Sequence, residues 1–398
     1  MLNVFTKTKP WMVASLLVAT SVFAQDNAST GSAKCRPQRS YEQGNDMMQN
    51  QMMPGYNASA RIDVRGSWDF WVDGSFIYWE AMQENMELGI TIGQGGSLAA
   101  SSASNPWGLV NTGTVPYNLG TYVNPSFTYN PGFKVGIGMN FDHDNWDASA
   151  EYTWFHGSST TTAAIPAGGV LYPAFGNPAV LITGTNGTGD LFGVSTDSTW
   201  NLKMDLADLD LERCFYAGNK LSYRPFFGVR GAWIRQNYSL TAVGTAAVGS
   251  NDSEILSYKT FSWGVGPRTG LNTNWMLGYG LKLLGNMEFD ILYTRYNASY
   301  YEKNWANTTG IINRRMKTVQ NHMDYLRTHT ALELGIGWGS YFDNNNWHID
   351  LDATYGFQAF FDQNMFRHWT SATVFANSNA PNGNLYVHGL DITARFDF

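Results

Sequence analysis

The sequence predicts a transmembrane antiparallel β-barrel of about ten strands, and three observations carry this prediction. Segments in which apolar and polar residues alternate recur along the chain. Aromatic residues make up 15% of the sequence and charged residues only 14%, where a soluble domain carries about 25% charged residues. Beyond the amino-terminal segment no run approaches 18 consecutive apolar residues, so the spanning elements are expected to be strands and not helices.

The first 24 residues have the features of a secretory signal peptide. Lys7 and Lys9 form a basic start, residues 11–20 form a short apolar run, and residues 22–24 resemble a cleavage site. The sequence therefore predicts an exported protein. Removal of this segment leaves 23 basic against 32 acidic residues, and a net negative charge argues against nucleic acid as a partner.

Residues 25–60 are rich in Gln, Asn, Met and Ser and show no periodicity, which predicts a flexible periplasmic extension. Their methionine cluster lacks regular spacing and imidazole neighbours, so neither a metal site nor another cofactor is predicted. The expected organisation is a signal peptide at 1–24, an extension at 25–60 and a barrel at 61–398.

Ten segments of the barrel region show period-two alternation, which is typical of strands between lipid and a polar interior. They cover residues 68–78, 133–141, 146–154, 200–206, 221–233, 261–265, 279–293, 326–338, 347–357 and 385–398. Long loops alternate with short turns, as they do in barrels with external loops and periplasmic turns. Twelve strands would result if residues 80–129 contain a further hairpin. The last segment ends at Phe398 and is the expected contact for the barrel-assembly machinery.

Tryptophans near the strand ends predict two aromatic girdles. Trp146 and Trp154 are eight residues apart, which at a tilt of about 40° spans roughly 20 Å of the ~25 Å apolar band. On the segment 200–206 the apolar residues Trp200, Leu202, Met204 and Leu206 are expected to face lipid.

The opposite faces of the strands predict a charged lumen. The candidate pore-lining residues are Lys134, Lys203, Arg224, Arg230, Lys282, Arg327, Glu151, Asp205, Glu288 and Glu333. These side chains could form a charged constriction that selects solutes, or a ladder of ion pairs that stiffens a narrow barrel. The alternation leaves both interpretations open.

The chain has two cysteines, Cys35 and Cys214, which is too few for the common zinc and redox motifs. In an oxidising compartment they could pair with each other or between chains. The prediction is an intramolecular disulfide that pins the extension under the periplasmic mouth of the barrel.

Four stretches resemble the pore-forming major outer membrane protein family of legionellae and chlamydia-like bacteria. They are GSWDFWVDGSFIYWEA at 66–81, PGFKVGIGMNFDHDNWDASAEYTWFH at 131–156, RPFFGVRGAWIRQNY at 224–238 and LELGIGWGSYFDNNNWHIDLDATYGFQ at 332–358. The resemblance implies a porin-like protein of the Gram-negative outer membrane, in contact with its lipids, for passive diffusion of small hydrophilic solutes or ions. A homo-oligomer is compatible with it.

Two other function classes were weighed. A surface adhesin or structural envelope protein would present the long loops at 80–129 and 157–198 on a narrow barrel. An enzyme is not predicted, because His329 and Glu333 share a strand face but no nucleophile accompanies them.

Overall fold

The computed structural model describes residues 59–65, 69–92, 120–141, 145–164, 170–173, 175, 192–245, 251–306, 314–369, 378–379 and 382–398. The predicted signal peptide, nearly all of the predicted extension and Cys35 lie outside these ranges, and the predicted domain boundaries stay a prediction. No helix in the described part of the chain is long and apolar enough to cross a membrane.

Sixteen strands make up the regular structure of the described residues. They are β1 (Phe70–Gln83), β2 (Gly89–Ile92), β3 (Gly120–Val123), β4 (Tyr129–Asn140), β5 (Trp146–Ala164), β6 (Val170–Pro173), β7 (Phe192–Arg213), β8 (Phe215–Ala217), β9 (Leu221–Thr245), β10 (Asn251–Gly278), β11 (Leu281–Ala306), β12 (Arg314–Phe342), β13 (Trp347–Phe360), β14 (His368–Trp369), β15 (Ser378–Asn379) and β16 (Leu385–Asp397).

Ten of these strands close into an antiparallel barrel, as the sequence predicts. The order around the wall is β1, β4, β5, β7, β9, β10, β11, β12, β13 and β16, and pairing of β16 with β1 completes the ring. The loop at 80–129 does contain a hairpin, β2–β3, but it pairs with β6 outside the wall. The barrel therefore has ten strands and not twelve.

The hairpin of β4 and β5 shows why this sequence forms a barrel wall. Val135 pairs with Tyr152 and Ile137 with Ala150, and these side chains face outward. Lys134 and Glu151, one position away, face the interior. A strand with one apolar and one polar face is stable between hydrocarbon and a polar lumen, and closure leaves no backbone edge unpaired in lipid.

Four strands are much longer than a membrane crossing requires. β9, β10, β11 and β12 have 25, 28, 26 and 29 residues, where about 9–11 residues span a bilayer. The exposed apolar side chains of β11 run from Leu281 only to Tyr293. The remaining half of β11 therefore extends beyond the membrane on the side of the long loops, and its partners β10 and β12 pair with it along that half.

A short segment, residues 59–65, crosses the opposite, periplasmic mouth of the barrel; we call it the strap. Its backbone is bonded at one end to the Cys214 carbonyl, by the Ala60 amide at 3.3 Å, and at the other to the Asn345 carbonyl, by the Arg65 amide at 2.8 Å. The Arg61 guanidinium donates to Asp69 at 3.3 Å. Since Cys35 lies outside the described residues, the predicted disulfide with Cys214 stays a prediction.

The prediction of which residues of β7 face lipid and which face the lumen was wrong for residues 200–206. Trp200, Leu202, Met204 and Leu206 are buried in the barrel interior, at 3% exposure or less. Lys203 and Asp205 consequently lie on the outer wall and do not line the lumen. The cause is a change of phase along the strand: the outward apolar residues of β7 are Leu209 and Leu211, which are odd-numbered, while the apolar residues of 200–206 are even-numbered.

Candidate functional site

The interior of the barrel is the candidate functional site. Eight of the ten predicted residues, all except Lys203 and Asp205, point into it: Lys134, Glu151, Arg224, Arg230, Lys282, Glu288, Arg327 and Glu333. Their role in conduction stays a prediction. From the periplasmic mouth outward, the interior consists of a polar chamber, a layer of ion pairs, an apolar layer and an inward-folded loop.

The polar chamber is a cavity of about 410 Å³ above the strap. Lys134 pairs there with Asp391 at 2.8 Å and Glu333 at 3.4 Å, and Lys282 pairs with Asp350 at 3.0 Å and Asp352 at 3.1 Å. Asp73 and Glu151 also line the chamber. Within the described residues neither has a basic partner within 4.0 Å. The chamber lining has six carboxyl groups against five Lys and Arg side chains, because Arg61, Arg224 and Arg395 line it as well.

The layer of ion pairs lies at mid-membrane depth and is centred on Arg230, which is 4% exposed. Its Nε and Nη2 atoms both donate to Asp208 at 2.7 Å, and its Nη1 donates to Asp290 at 2.7 Å. Glu288 accepts from Nη2 at 3.1 Å. His329 lies beside the same carboxyl of Asp290 at 2.5 Å. One guanidinium group thus connects the side chains of three strands on one side of the wall, β7, β9 and β11.

Arg268 completes this layer and was not among the predicted residues. It contacts Asp208 and Asp210 at 2.8 Å each and Glu288 at 2.9 Å. The acidic residues Asp208, Asp210 and Glu212 were missed as well. The sequence does contain a pattern that indicates them, because they alternate with Leu209 and Leu211. The preceding apolar residues at 200–206 are even-numbered, however, so the alternation there assigns the even-numbered positions to the lipid face.

Above the ion pairs, apolar side chains from the wall meet in the lumen. This apolar layer includes Ile77, Trp79, Phe155, Leu202, Met204, Leu206, Ile234, Leu292, Phe360 and Val387, all at 3% exposure or less. Trp79 also donates from Nε1 to the Asp391 carboxyl below it. Such a layer excludes water, and apolar constrictions of this kind block ion passage by dewetting.

The chain after β13 turns inward and covers the apolar layer; residues 361–367 are called the inner loop. Gln363 donates to Ser262 at 3.0 Å and accepts from Tyr296 at 2.8 Å, and Asn364 donates to the Glu84 carbonyl at 2.7 Å. Phe366, 1% exposed, packs on Tyr238 and Tyr258, with ring centroids 5.8 and 5.4 Å apart.

These four layers make the described interior a closed barrel with one polar chamber at its periplasmic end. In the described residues no cluster of three His, Cys, Asp or Glu side chains has the geometry of a metal site. The only His–carboxylate contact in the ion-pair layer, His329 with Asp290, is fully buried and engaged by Arg230. The chemistry that this interior supports is recognition of charge and exclusion of water.

A second group of acids lies in the extended part of the strands, outside the membrane. Glu254 is 0% exposed, and its carboxyl group lies beside that of Glu302. Glu302, on the neighbouring strand, accepts from the Tyr300 hydroxyl. Burial, followed by the charge of Glu302, holds the pKa of Glu254 well above its usual value.

We expect Glu254→Gln to stabilise the protein at neutral and alkaline pH. A raised pKa in the folded state means that wild-type stability falls as the pH rises above about 4.5, where the unfolded chain loses the proton. The variant lacks this loss, so its advantage of about 1–3 kcal/mol should be present at pH 8 and absent at pH 4. Urea unfolding in detergent at both pH values measures it. An equal difference at the two pH values would contradict the assignment.

The family described as Legionella pneumophila major outer membrane protein precursor matches residues 63–398. No curated protein matches the chain in sequence.

Among solved structures, the outer membrane protease OmpT of Escherichia coli is 12% identical, with a TM-score of 0.35 over 83% of this chain and 96% of that chain. The Pseudomonas putida toluene transporter TodX is 6% identical, with a TM-score of 0.26 over 83% and 89%. A Pseudomonas aeruginosa FadL homologue is 8% identical, with a TM-score of 0.26 over 83% and 89%. At these scores the likenesses support no conclusion about activity.

Proposed function

Because the chain belongs to the family of the Legionella pneumophila major outer membrane protein precursor, we propose that it is a porin-like channel of the Gram-negative outer membrane that rests in a closed state. Its solutes are small and hydrophilic, and it carries out no catalysis. The outer membrane supplies its lipid surroundings. Insertion is proposed to use the closing strand β16 and the aromatic terminus at Phe398, and the proposed assembly is a homo-oligomer.

This proposal rests on which part of the chain closes the external half of the lumen. Four side chains of the inner loop, Gln363 to Phe366, fill the interior from a loop and not from a wall strand. A loop held by hydrogen bonds, by the contacts of Phe366 with two tyrosine rings and by one ion pair, Asp362 with Arg327 at 3.4 Å, can leave without unzipping the barrel. Below it lies a polar chamber, which a barrel serving only as an anchor does not require.

The lumenal charges support a preference for cations. The ion-pair layer contains two guanidinium groups, of Arg230 and Arg268, and four carboxyl groups, of Asp208, Asp210, Glu288 and Asp290. The chamber lining adds six carboxyl groups and five Lys and Arg side chains. A ring of excess carboxylate attracts cations, so the open channel should show a cation-selective reversal potential.

Planar-bilayer recording of a variant in which residues 363–366 are replaced by Gly-Ser-Gly-Ser tests the proposal. Burial of one phenylalanine contributes about 1.5–3 kcal/mol, and about 1.4 kcal/mol changes an equilibrium tenfold. The apolar layer, which packs with Phe366 in one cluster, loses this cover in the variant and should become hydrated. The open probability should therefore rise at least about tenfold over the wild type, with larger steps. The matched control is Met365→Leu with Phe366→Leu, which keeps an apolar filling and should stay closed.

The result that overturns the channel is a correctly folded, heat-modifiable loop variant without conductance steps. The lumen would then be a permanent plug, and the second candidate function would replace the first. That candidate is display of the long external loops by a rigid barrel, and it is favoured by the 25–29 residues of β9 to β12. Removal of residues within 165–191, between β5 and β7, would then abolish adhesion or envelope integrity while the barrel stays folded.

A further inference from the structure

A row of basic side chains lies on the outer wall of the barrel, at the side of β5, β7 and β9. His156 pairs in register with Lys203, and Lys203 pairs with Arg235. Directly paired residues have Cβ atoms about 4.5–5.5 Å apart, so these three side chains are adjacent. Lys259 on β10 lies one outward position further from the membrane, paired with Asn237. We call these four residues the basic patch.

The basic patch lies just outside the external aromatic girdle. His156, Lys203 and Arg235 pair in one row across β5, β7 and β9. The row two residues closer to the membrane pairs Trp154, Asp205, Trp233 and Trp263 of β5, β7, β9 and β10. A step of two residues is about 6.6 Å along a strand. Because tryptophan girdles mark the membrane–water interface, the patch lies at the depth of the lipid headgroups in the outer leaflet.

The patch differs in its neighbours from the lumenal bases and from Arg295 on the outer wall. Every lumenal base described above has a carboxyl partner, and on the outer wall Arg295 pairs with Asp324 at 2.6 Å. Among the described residues, Lys203, Arg235 and Lys259 have no carboxylate within 4.0 Å. The closest acid in register, Asp205, accepts from the Tyr152 hydroxyl at 2.8 Å.

Aromatic contacts hold two members of the patch in place. The Arg235 guanidinium carbon lies 5.2 Å from the Phe261 ring centroid, and the His156 ring lies 4.1 Å from that of Trp154. Like charges directly opposite each other destabilise a sheet, so the pairing of Lys203 with Arg235 is unfavourable unless an anion lies between them. At this depth on the outer wall, the available anions are those of the lipid.

We propose that the basic patch is a binding site for the phosphate groups of lipid A, the phosphorylated glycolipid of the outer leaflet. Arg235 supplies the planar donor pair that suits a phosphate, and Lys203 and Lys259 supply point charges. The acyl chains of the same lipid would lie along the apolar wall below, past Trp233 to Val229, which is 49% exposed. The site depends on the outer-membrane location and not on whether the lumen conducts.

Lipid A retention by the full-length refolded protein tests the site. Wild type and the double variant Lys203→Gln, Arg235→Gln are incubated with hexa-acyl bisphosphoryl lipid A in neutral detergent, and bound lipid is counted by native mass spectrometry. The variant should bind about twentyfold more weakly. The matched control, Lys220→Gln with Lys317→Gln, removes the same charge from a periplasmic turn and a remote strand and should bind like the wild type.

A second arm uses lipid A from which both phosphates have been removed. The wild type should bind this lipid as weakly as the double variant binds intact lipid A, that is, about twentyfold more weakly than the wild type binds intact lipid A. Equal binding of intact and dephosphorylated lipid A by the wild type, or equal binding by wild type and double variant, would overturn the proposal and indicate adsorption to the apolar wall alone. Heat-modifiable migration of each variant confirms that the compared proteins are folded.

Discussion

Replacement of Arg230 by alanine is expected to destabilise the barrel by about 3–5 kcal/mol. Arg230 is 4% exposed and bonds to Asp208 through two nitrogens at 2.7 Å, to Asp290 at 2.7 Å and to Glu288 at 3.1 Å. Its removal leaves buried carboxyl groups facing one another, with Arg268 as the remaining guanidinium and the His329 ring beside Asp290. The loss of an arginine from such a group is costly because the remaining charges stay buried without compensation.

Urea unfolding of detergent-refolded protein, followed by tryptophan fluorescence and heat-modifiable migration, measures this effect. Arg295→Ala is the matched control, because Arg295 has an equally short ion pair with Asp324 but lies on the outer wall in contact with solvent. It should change the midpoint little. Arg230→Lys should recover only part of the loss, since an ammonium cannot make the two parallel bonds to Asp208. Equal midpoint shifts for Arg230→Ala and Arg295→Ala would contradict the role assigned to the ion-pair layer.

Gly389→Val should prevent closure of the barrel. Gly389 is buried in β16 between Trp79 of β1 and Gly356 of β13. A Cβ atom at this position would collide with the Tyr78 carbonyl oxygen and lie 2.8 Å from the Trp79 Cα, which are backbone atoms of the first strand. Its φ of +157° adds strain for any side chain. Overpacking and backbone strain each cost about 1–3 kcal/mol, and both act on the strand pair that closes the ring.

The matched control for this change is Gly74→Val on the neighbouring strand. Gly74 is exposed on the outer face of β1, and a Cβ there meets no atom within 4 Å. This variant should refold like the wild type, while Gly389→Val should yield little heat-modifiable protein. Comparable yields from the two variants would show that β16 can shift away from β1 at low cost.

The alternation along the strands by itself predicted the barrel and most of the inward faces. Val135 and Ile137 are lipid-facing and Lys134 is inward because a strand between hydrocarbon and a lumen must separate them, and that demand is local. The prediction failed on β7 for the same reason. At Trp200 to Leu206 the outer side is already at the headgroup level and the inner side is dry, so the apolar residues turn inward and Lys203 turns outward.

The sequence alone thus predicted a barrel of about ten strands and the inward position of eight of the ten candidate residues, because each depends on neighbours along one strand. Only the tertiary structure decided that Arg230 joins Asp208, Asp290 and Glu288, that the inner loop fills the external half of the lumen, and that Lys203 and Arg235 lie side by side on the outer wall. These contacts join residues far apart in the chain, and their register follows from barrel closure, which no local alternation records.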